Sequence, residues 1–154
     1  TPKVERAPGE IWVYTDGSFK NNACGYGVVV LVDDICHEIC GPVPLEPTNN
    51  VAELYAIYVV LSMLRDHDLK IHSDSQYSIG CVSTWINGWM RNGWKTAAGQ
   101  PVKNQELIRA IYELLPGRKV EFIHVKAHCG IEHNELADLL ADRGRQGEEI
   151  NTMI

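Results

Sequence analysis

Between Glu10 and Cys40 the chain has room for strands but for no helix. Three runs rich in β-forming residues, 10–15, 25–32 and 35–40, are separated only by the turn-prone pairs Asp16-Gly17, Asn21-Asn22 and Asp33-Asp34. Segments joined this tightly form an antiparallel meander of three strands. From Val51 onward the period changes. Residues 51–64 repeat with helical spacing after the candidate caps Thr48, Asn49 and Asn50, and 69–72 is a short strand. Residues 76–90 are helical, in two pieces around Gly80, and 94–101 form an irregular loop. A helix over 104–115 ends at Pro116-Gly117, a strand covers 119–125, and a last helix covers 132–143.

The order β-β-β-α-β-α-α-β-α predicts an α/β fold, a mixed sheet with helices packed on it and strands 1, 4 and 5 mutually parallel. With 154 residues and 45% hydrophobic content, one domain with a sizeable core is expected. Residues 1–10 are polar, contain two prolines and read as a flexible tail; 11–146 form the domain; 147–154 read as a second flexible tail, with no order expected from Glu148. No apolar run has membrane-spanning length, and the first residues do not resemble a signal peptide.

The five cysteines, Cys24, Cys36, Cys40, Cys81 and Cys129, are odd in number and lie mostly in apolar surroundings, which points to reduced thiols and the cytoplasm. Cys36 and Cys40 with His37 between them invite a zinc reading. On a strand, however, four residues separate the sulfurs by about 13 Å, whereas zinc needs both within about 2.3 Å of one ion. The net charge of −6 argues against a nucleic-acid partner. Cations bound to acidic residues would offset part of it. The positive charge is also unevenly spread: between Ser75 and Gln105 there is no acid, while Arg91, Lys95 and Lys103 are present with Trp85, Trp89 and Trp94.

Four acids stand in unusual settings: Asp16 in Tyr-Thr-Asp-Gly-Ser, Glu53 in Thr-Asn-Asn-Val-Ala-Glu, Asp74 in Ser-Asp-Ser-Gln-Tyr, and Asp138 in Asn-Glu-Leu-Ala-Asp. Each has an ordinary explanation. Asp16-Gly17 is a common hairpin turn. Glu53 follows Asn50 at capping-box spacing, Asp74 suits a helix N-cap, and Asp138 suits a solvated helix face beside Leu136 and Leu139. Yet Asp16 and Asp74 follow strands 1 and 4, and ligand sites in such sheets form at the carboxyl ends of strands. On neighbouring strands about 4.8 Å apart, two ionised carboxylates demand a shared proton or a bridging cation.

In their order and spacing these motifs, together with Val-Lys-Ala-His-Cys-Gly before Asn134, resemble type 1 ribonuclease H from about Ile11 to Arg143. Trp85-Ile86-Asn87-Gly88-Trp89 and Gly93-Trp94-Lys95-Thr96 are similar to the substrate-binding protrusion of cellular members. The resemblance implies a mixed five-stranded sheet of order 3-2-1-4-5, strand 2 antiparallel to the rest and helices on both faces. It implies endonucleolytic hydrolysis of the RNA strand of RNA–DNA hybrids by a monomer, leaving 5′-phosphate and 3′-hydroxyl ends. Two Mg²⁺, with Mn²⁺ as substitute, would be held by Asp16, Glu53, Asp74 and Asp138, with Asp16 bridging both. His128 would assist proton transfer or product release. Asn49, Asn50 and Gln76 would read 2′-hydroxyls. Thr48, Asn104 and Trp85 would meet the DNA strand, and Lys95 and Lys103 would complete the substrate surface; Trp89 and Trp94 read as local core.

The chain departs from that pattern in two places. Met90, Asn92, Gly99 and Gln100 stand where relatives carry a dense basic cluster, and Glu46 stands where relatives often have an arginine contacting DNA phosphate. Fewer phosphate contacts imply modest hybrid affinity and a shallow salt dependence. Two other origins for the same acids are a ribonuclease H domain excised from a reverse transcriptase polyprotein and another nuclease of the same fold.

Overall fold

A computed structural model describes residues 9–33, 35–65, 67–96, 98–125 and 132–152. The meander consists of β1 (Ile11–Lys20), β2 (Ala23–Val32) and β3 (Ile35–Pro42). Asp16-Gly17 is not a turn: β1 runs straight through it, pairing Asp16 with Gly27 and Gly17 with Tyr26. The hairpin closes at Asn21-Asn22 instead, where both residues have positive φ (53° and 59°). A two-residue turn of that kind matches the right-handed twist of the strands, and asparagine tolerates it well.

Beyond the meander come α1 (Asn49–Met63), β4 (Leu69–Ser73), α2 (Gln76–Ser83) and α3 (Ile86–Asn92). They are followed by α4 (Gln105–Glu113), β5 (Val120–His124) and α5 (Glu132–Arg145). The predicted helical break lies at Thr84-Trp85 rather than at Gly80. Gly80 is where the Trp85 ring folds back, and an added Cβ there would sit 2.7 Å from it. The loop after α3 is pinned by a bridge between Lys95 and Pro101.

The sheet has the order β5-β4-β1-β2-β3-β6, one strand more than expected. β1 and β4, and β4 and β5, are parallel, while β2 runs antiparallel to both neighbours. The additional strand β6 (Ile150–Asn151) pairs with Ile39 and Cys40 of β3. The expectation of a disordered tail from Glu148 therefore does not hold for Ile150-Asn151. Without them β3 would be an open edge, and its backbone groups find partners in this short segment. Thr152 adds to the pairing, its N–H donating to Glu38 O at 3.1 Å and its Oγ1 accepting from Glu38 N at 2.9 Å.

The larger core lies between the sheet and α1, where Leu54, Ile57 and Leu61 meet Val13, Val28 and Ile71, with Ile108 and Ile111 of α4 behind. A smaller one lies on the opposite face, where Ala137 and Leu140 of α5 meet Tyr14, Val29 and Cys40. Helix α5 reaches that face because β2 carries no side chain at Gly25 and Gly27: a Cβ on Gly27 would fall 2.2 Å from Ala137 O.

One arginine ties the helical layer together at the end of the sheet away from Asp16. Arg118 Nε and Nη2 donate to Leu114 O at 2.9 and 2.6 Å, Nη2 also donates to Leu61 O at 3.0 Å, and Nη1 donates to Leu64 O. One planar fork thus satisfies the last carbonyls of α1 and α4 together. Arg118→Ala should cost about 2–3 kcal/mol, because a charge-assisted bond is lost and carbonyls are left unpaired. Thermal melting is the check: a drop of roughly 4–12 °C is expected at this size, with Arg118→Lys recovering only part of it.

Candidate active site

The parallel ladder between β1 and β4 ends at the pair Thr15 and Ser73. Asp16 and Asp74 are the next residue on each strand, so the two chains part where their carboxylates begin. Asp16 is 5% exposed, and its Oδ1 accepts from Gly17 N at 2.9 Å. Asp74 is not the helix cap its sequence suggested. Ser75 caps α2 by accepting from Ser78 N at 3.1 Å, while Ser75 N donates to Ser73 Oγ at 3.1 Å. Asp74 is carried on this tightened corner without serving as its cap.

Glu53 arrives on α1. The helix is capped by Thr48, whose Oγ1 accepts from Val51 N at 3.1 Å, so Glu53 and Asn50 do not form a capping box. The first turns of α1 lie directly against Gly17, where an added Cβ would fall 2.5 Å from Glu53 N. Glycine after Asp16 therefore lets the Glu53 backbone reach the strand. Asp138 comes from the other side of the sheet on α5, close enough to act on the charge of Asp16.

One carboxylate oxygen from each of Asp16, Glu53 and Asp74 can be chosen so that all lie within 4.8 Å of one another. Among the described residues this is the one group of three or more His, Cys, Asp or Glu with metal-ligand spacing. Neither Cys36, which is exposed, nor Cys40, which is buried, belongs to such a group. Burial pushes Asp16 up to about 8; the charges of Asp74 and Asp138 add to this, and hydrogen bonding with Glu53 offsets part of it. Glu53 is raised well above the usual carboxylate range, first by burial and then by Asp16 and Asp74, with the Gly17 N–H opposing. Both shifts run the same way, so the pair retains a proton that a cation would displace.

Glu53 Oε2 is buried and has no hydrogen-bond partner. An unpaired carboxylate oxygen inside a protein is costly, and hard divalent cations take oxygen ligands of this kind. Oxygens around one octahedral Mg²⁺ at about 2.1 Å lie about 3.0 Å apart when adjacent and about 4.2 Å when opposite, so oxygens within 4.8 Å of one another can close on one ion by side-chain adjustment. The residues present fit a divalent ion.

The remaining candidates lie at the starts of α1 and α2 and along the segment from Trp85 to Asn104. Asn49 and Asn50 open α1, Gln76 opens α2, and all three are exposed. Trp85 is 46% exposed, while Trp94 belongs to the core and Trp89 packs on it. Lys95 and Lys103 are exposed on either side of the loop closed by the Lys95–Pro101 bridge. Asn104 precedes α4 with φ 62° and makes no cap bond; its Nδ2 donates instead to Tyr77 Oη at 3.2 Å. Tyr77 also lies beside Trp85, ring centroids 6.3 Å apart. In the sequence Tyr77 is marked only by its place after Gln76 on a helix start. His128 lies outside the described residues.

Comparison with known proteins agrees with this geometry. The RNase H family model matches residues 8–146. A ribonuclease H of Mycolicibacterium gilvum is 40% identical over 137 residues, covering 87% of this chain and 91% of the relative. Among solved structures, LC9-RNase H1, a type 1 RNase H with the type 2 active-site motif, superposes with a TM-score of 0.80 at 23% identity. That match covers 96% of this chain and 77% of the other. A foamy viral protease-reverse transcriptase in complex with RNA/DNA hybrid gives a TM-score of 0.76 at 22% identity, covering 94% of this chain and 21% of that one. These two share the fold; the family follows from the model and the curated relative, and by both this chain belongs to the RNase H family, whose members are metal-dependent nucleases.

Proposed function

We propose that this chain hydrolyses the RNA strand of RNA–DNA hybrids by internal cleavage, leaving 5′-phosphate and 3′-hydroxyl ends, as a monomer in the cytoplasm. Residues 11–146 would be its catalytic unit. The observation that carries this reading is the convergence of Asp16, Glu53 and Asp74 within 4.8 Å around a buried, unpartnered Glu53 oxygen. The hybrid bound by the foamy viral protein of the same fold supports the substrate. The free thiols of Cys24, Cys40 and Cys81 suit a reducing compartment, and among the described residues no helix is long and apolar enough to cross a membrane.

Two Mg²⁺, or Mn²⁺ in their place, would supply an attacking water of lowered pKa and positive charge against the leaving 3′-oxygen. Asp16, central among the acids, would hold both ions. Asp138 would serve the nucleophile side, and Glu53 and Asp74 the leaving-group side. His128 would move a proton or ease product release, roles that imidazole chemistry suits. Asn49, Asn50 and Gln76 present amides that donate and accept, as reading 2′-hydroxyls in a shallow minor groove requires. Thr48 uses an oxygen lone pair for its cap bond and keeps its hydroxyl proton for a phosphate. Asn104 and the exposed face of Trp85 would meet the DNA strand, and Lys95 and Lys103 would lie near its phosphates.

The decisive assay compares Mg²⁺-dependent cleavage of hybrid, duplex DNA and duplex RNA. Only the hybrid should be cut. Asp16→Asn should lower turnover by at least about a thousandfold, a loss of roughly 4 kcal/mol in barrier lowering, while His128→Ala should slow it by a smaller factor. Equal losses in the two variants would contradict the roles given.

The same acids predict how stability responds to pH. An aspartate near 3.9 when unfolded and about 8 when folded holds a proton that unfolding releases. Its contribution to metal-free stability is greatest below the unfolded value and is lost as pH rises to about 8. Metal-free protein should therefore melt lower at pH 8 than at pH 6. Asp16→Asn should reduce that difference, and millimolar Mg²⁺ should raise the wild-type Tm more at pH 8. A wild-type slope equal to that of Asp16→Asn would count against the proton held by Asp16.

On the DNA side, Glu46 and Asn104 line one groove of about 490 Å³ between α1 and α4. An acid there repels a phosphate. Glu46→Arg should tighten hybrid binding several-fold in a binding titration. It should also steepen the salt slope by about 0.9 log unit for a B-form duplex; an unchanged slope would place Glu46 away from the backbone.

A further inference from the structure

Ser18, Asp142 and Arg145 form a closed polar triangle across the seam between β1 and α5. Ser18 Oγ donates to Asp142 Oδ1 at 2.6 Å, Arg145 Nε donates to Ser18 Oγ at 3.1 Å, and Arg145 Nη2 stands 3.6 Å from Asp142 Oδ1. None of the three is among the four site acids. Their placement nevertheless repeats that of the acids. Ser18 follows Asp16 by two residues on β1, hence on the same face of the sheet. Asp142 follows Asp138 by four residues on α5, hence on the same side of the helix.

Two residues of strand rise about 6.8 Å and four residues of helix about 6.0 Å. Asp16 with Asp138 and Ser18 with Asp142 are therefore successive rungs between the same two elements, and a displacement at one rung is transmitted to the other.

The packing around the seam gives this arrangement its importance. Asp16 and Ser18 pair across the hairpin with Gly27 and Gly25. At Gly25 an added Cβ would fall 2.0 Å from Arg145 N, and at Gly27 2.2 Å from Ala137 O. At both rungs the backbone of α5 thus lies on bare glycine of β2, and side-chain interlocking on this face is left to the cluster around Tyr14 and Val29. The apolar cluster on this face is the smaller one, with Ala137 and Leu140 as its fully buried α5 members. We infer that the Ser18–Asp142–Arg145 triangle is a positioning device that sets the register of α5 on β1 and so holds Asp138 against Asp16 for cation binding.

This inference rests on the reading of the four acids as a cation site, and the test separates the two. Mn²⁺ binding to the full chain without substrate would be followed by electron paramagnetic resonance of the free ion. Wild type, Ser18→Ala, Ser18→Thr and Arg145→Gln are compared, each first checked by thermal melting. Ser18→Ala should weaken Mn²⁺ binding about 3- to 10-fold without altering formal charge, and Ser18→Thr, which keeps the hydroxyl, should restore it. Arg145→Gln should also weaken it, although removing a nearby cation would by charge alone strengthen it. In an Asp138→Asn background, Ser18→Ala should have no further effect, since it acts through Asp138. Wild-type affinity in Ser18→Ala, tighter binding in Arg145→Gln, or an undiminished Ser18 effect without Asp138 would each overturn the inference. Wild type that binds no Mn²⁺ at millimolar concentration would instead overturn the cation-site reading itself.

Discussion

Repulsion between carboxylates is the constraint around which the rest of this structure is arranged. Asp16, Glu53 and Asp74 offer oxygens within 4.8 Å of one another, and Asp138 adds to the field on Asp16. Three anions this close inside a protein would part if their backbones were free to move. They are instead carried by three kinds of rigid support: a β1–β4 ladder that ends one residue earlier, a corner tied by Ser73, Ser75 and Ser78, and a helix capped by Thr48. The ladder, the corner and the helix cap are each completed by other groups; Asp16 and Glu53 take the Gly17 N–H as a backbone partner, and Glu53 Oε2 is left unpartnered for a cation. That independence separates a metal site from an incidental acidic patch.

The two faces of the sheet hold their helices by different means. Helix α1 is gripped by the larger apolar core, and its register follows from interdigitated side chains such as Leu54, Ile57 and Leu61. Glu53 therefore inherits a position from packing. Helix α5 rests partly on glycine, at Gly25 and Gly27, and its apolar contact is smaller. Close approach brings Asp138 toward Asp16, but it removes the ridges that would lock the helix. The polar triangle of Ser18, Asp142 and Arg145 stands where that lock is missing.

Much of this was legible in the sequence: strand alternation and helix period are strong signals from which the strand directions followed, while the sheet order was what the resemblance to type 1 ribonuclease H implied. What escaped it was local chemistry with two valid solutions. Asp16-Gly17 and Asn21-Asn22 are both good hairpin turns, and only the pairing of Asp16 with Gly27 shows which one the chain uses. Thr48 and Asn50 are both good caps, as are Asp74 and Ser75; in each case a hydroxyl took the cap, and the acid or amide was left for other work. Strand β6 is two residues long and arises because β3 has an open edge, a tertiary cause invisible to local pattern. Arg118 and Ser18 were missed for the same reason: their partners lie 54 and 124 residues away.

The acidity of the chain would bear differently on the two strands of the proposed hybrid substrate. A net charge of −6 opposes any polyanion at long range, so attraction must be built locally. At the acid cluster, bound cations would convert the repulsion into attraction for a phosphate of the proposed RNA strand. On the proposed DNA side no such conversion is available; Lys95 and Lys103 supply the positive charge there, and the other contacts are neutral. Asn104 is turned away from capping α4 and held by Tyr77, whose ring also lies beside Trp85. An amide and an indole face recognise a sugar-phosphate edge by shape and hydrogen bonding rather than by charge. Such contacts are short-ranged and weakly screened by salt, so on the proposed reading recognition of the DNA strand would depend on close fit, which Tyr77, touching both Asn104 and Trp85, would support.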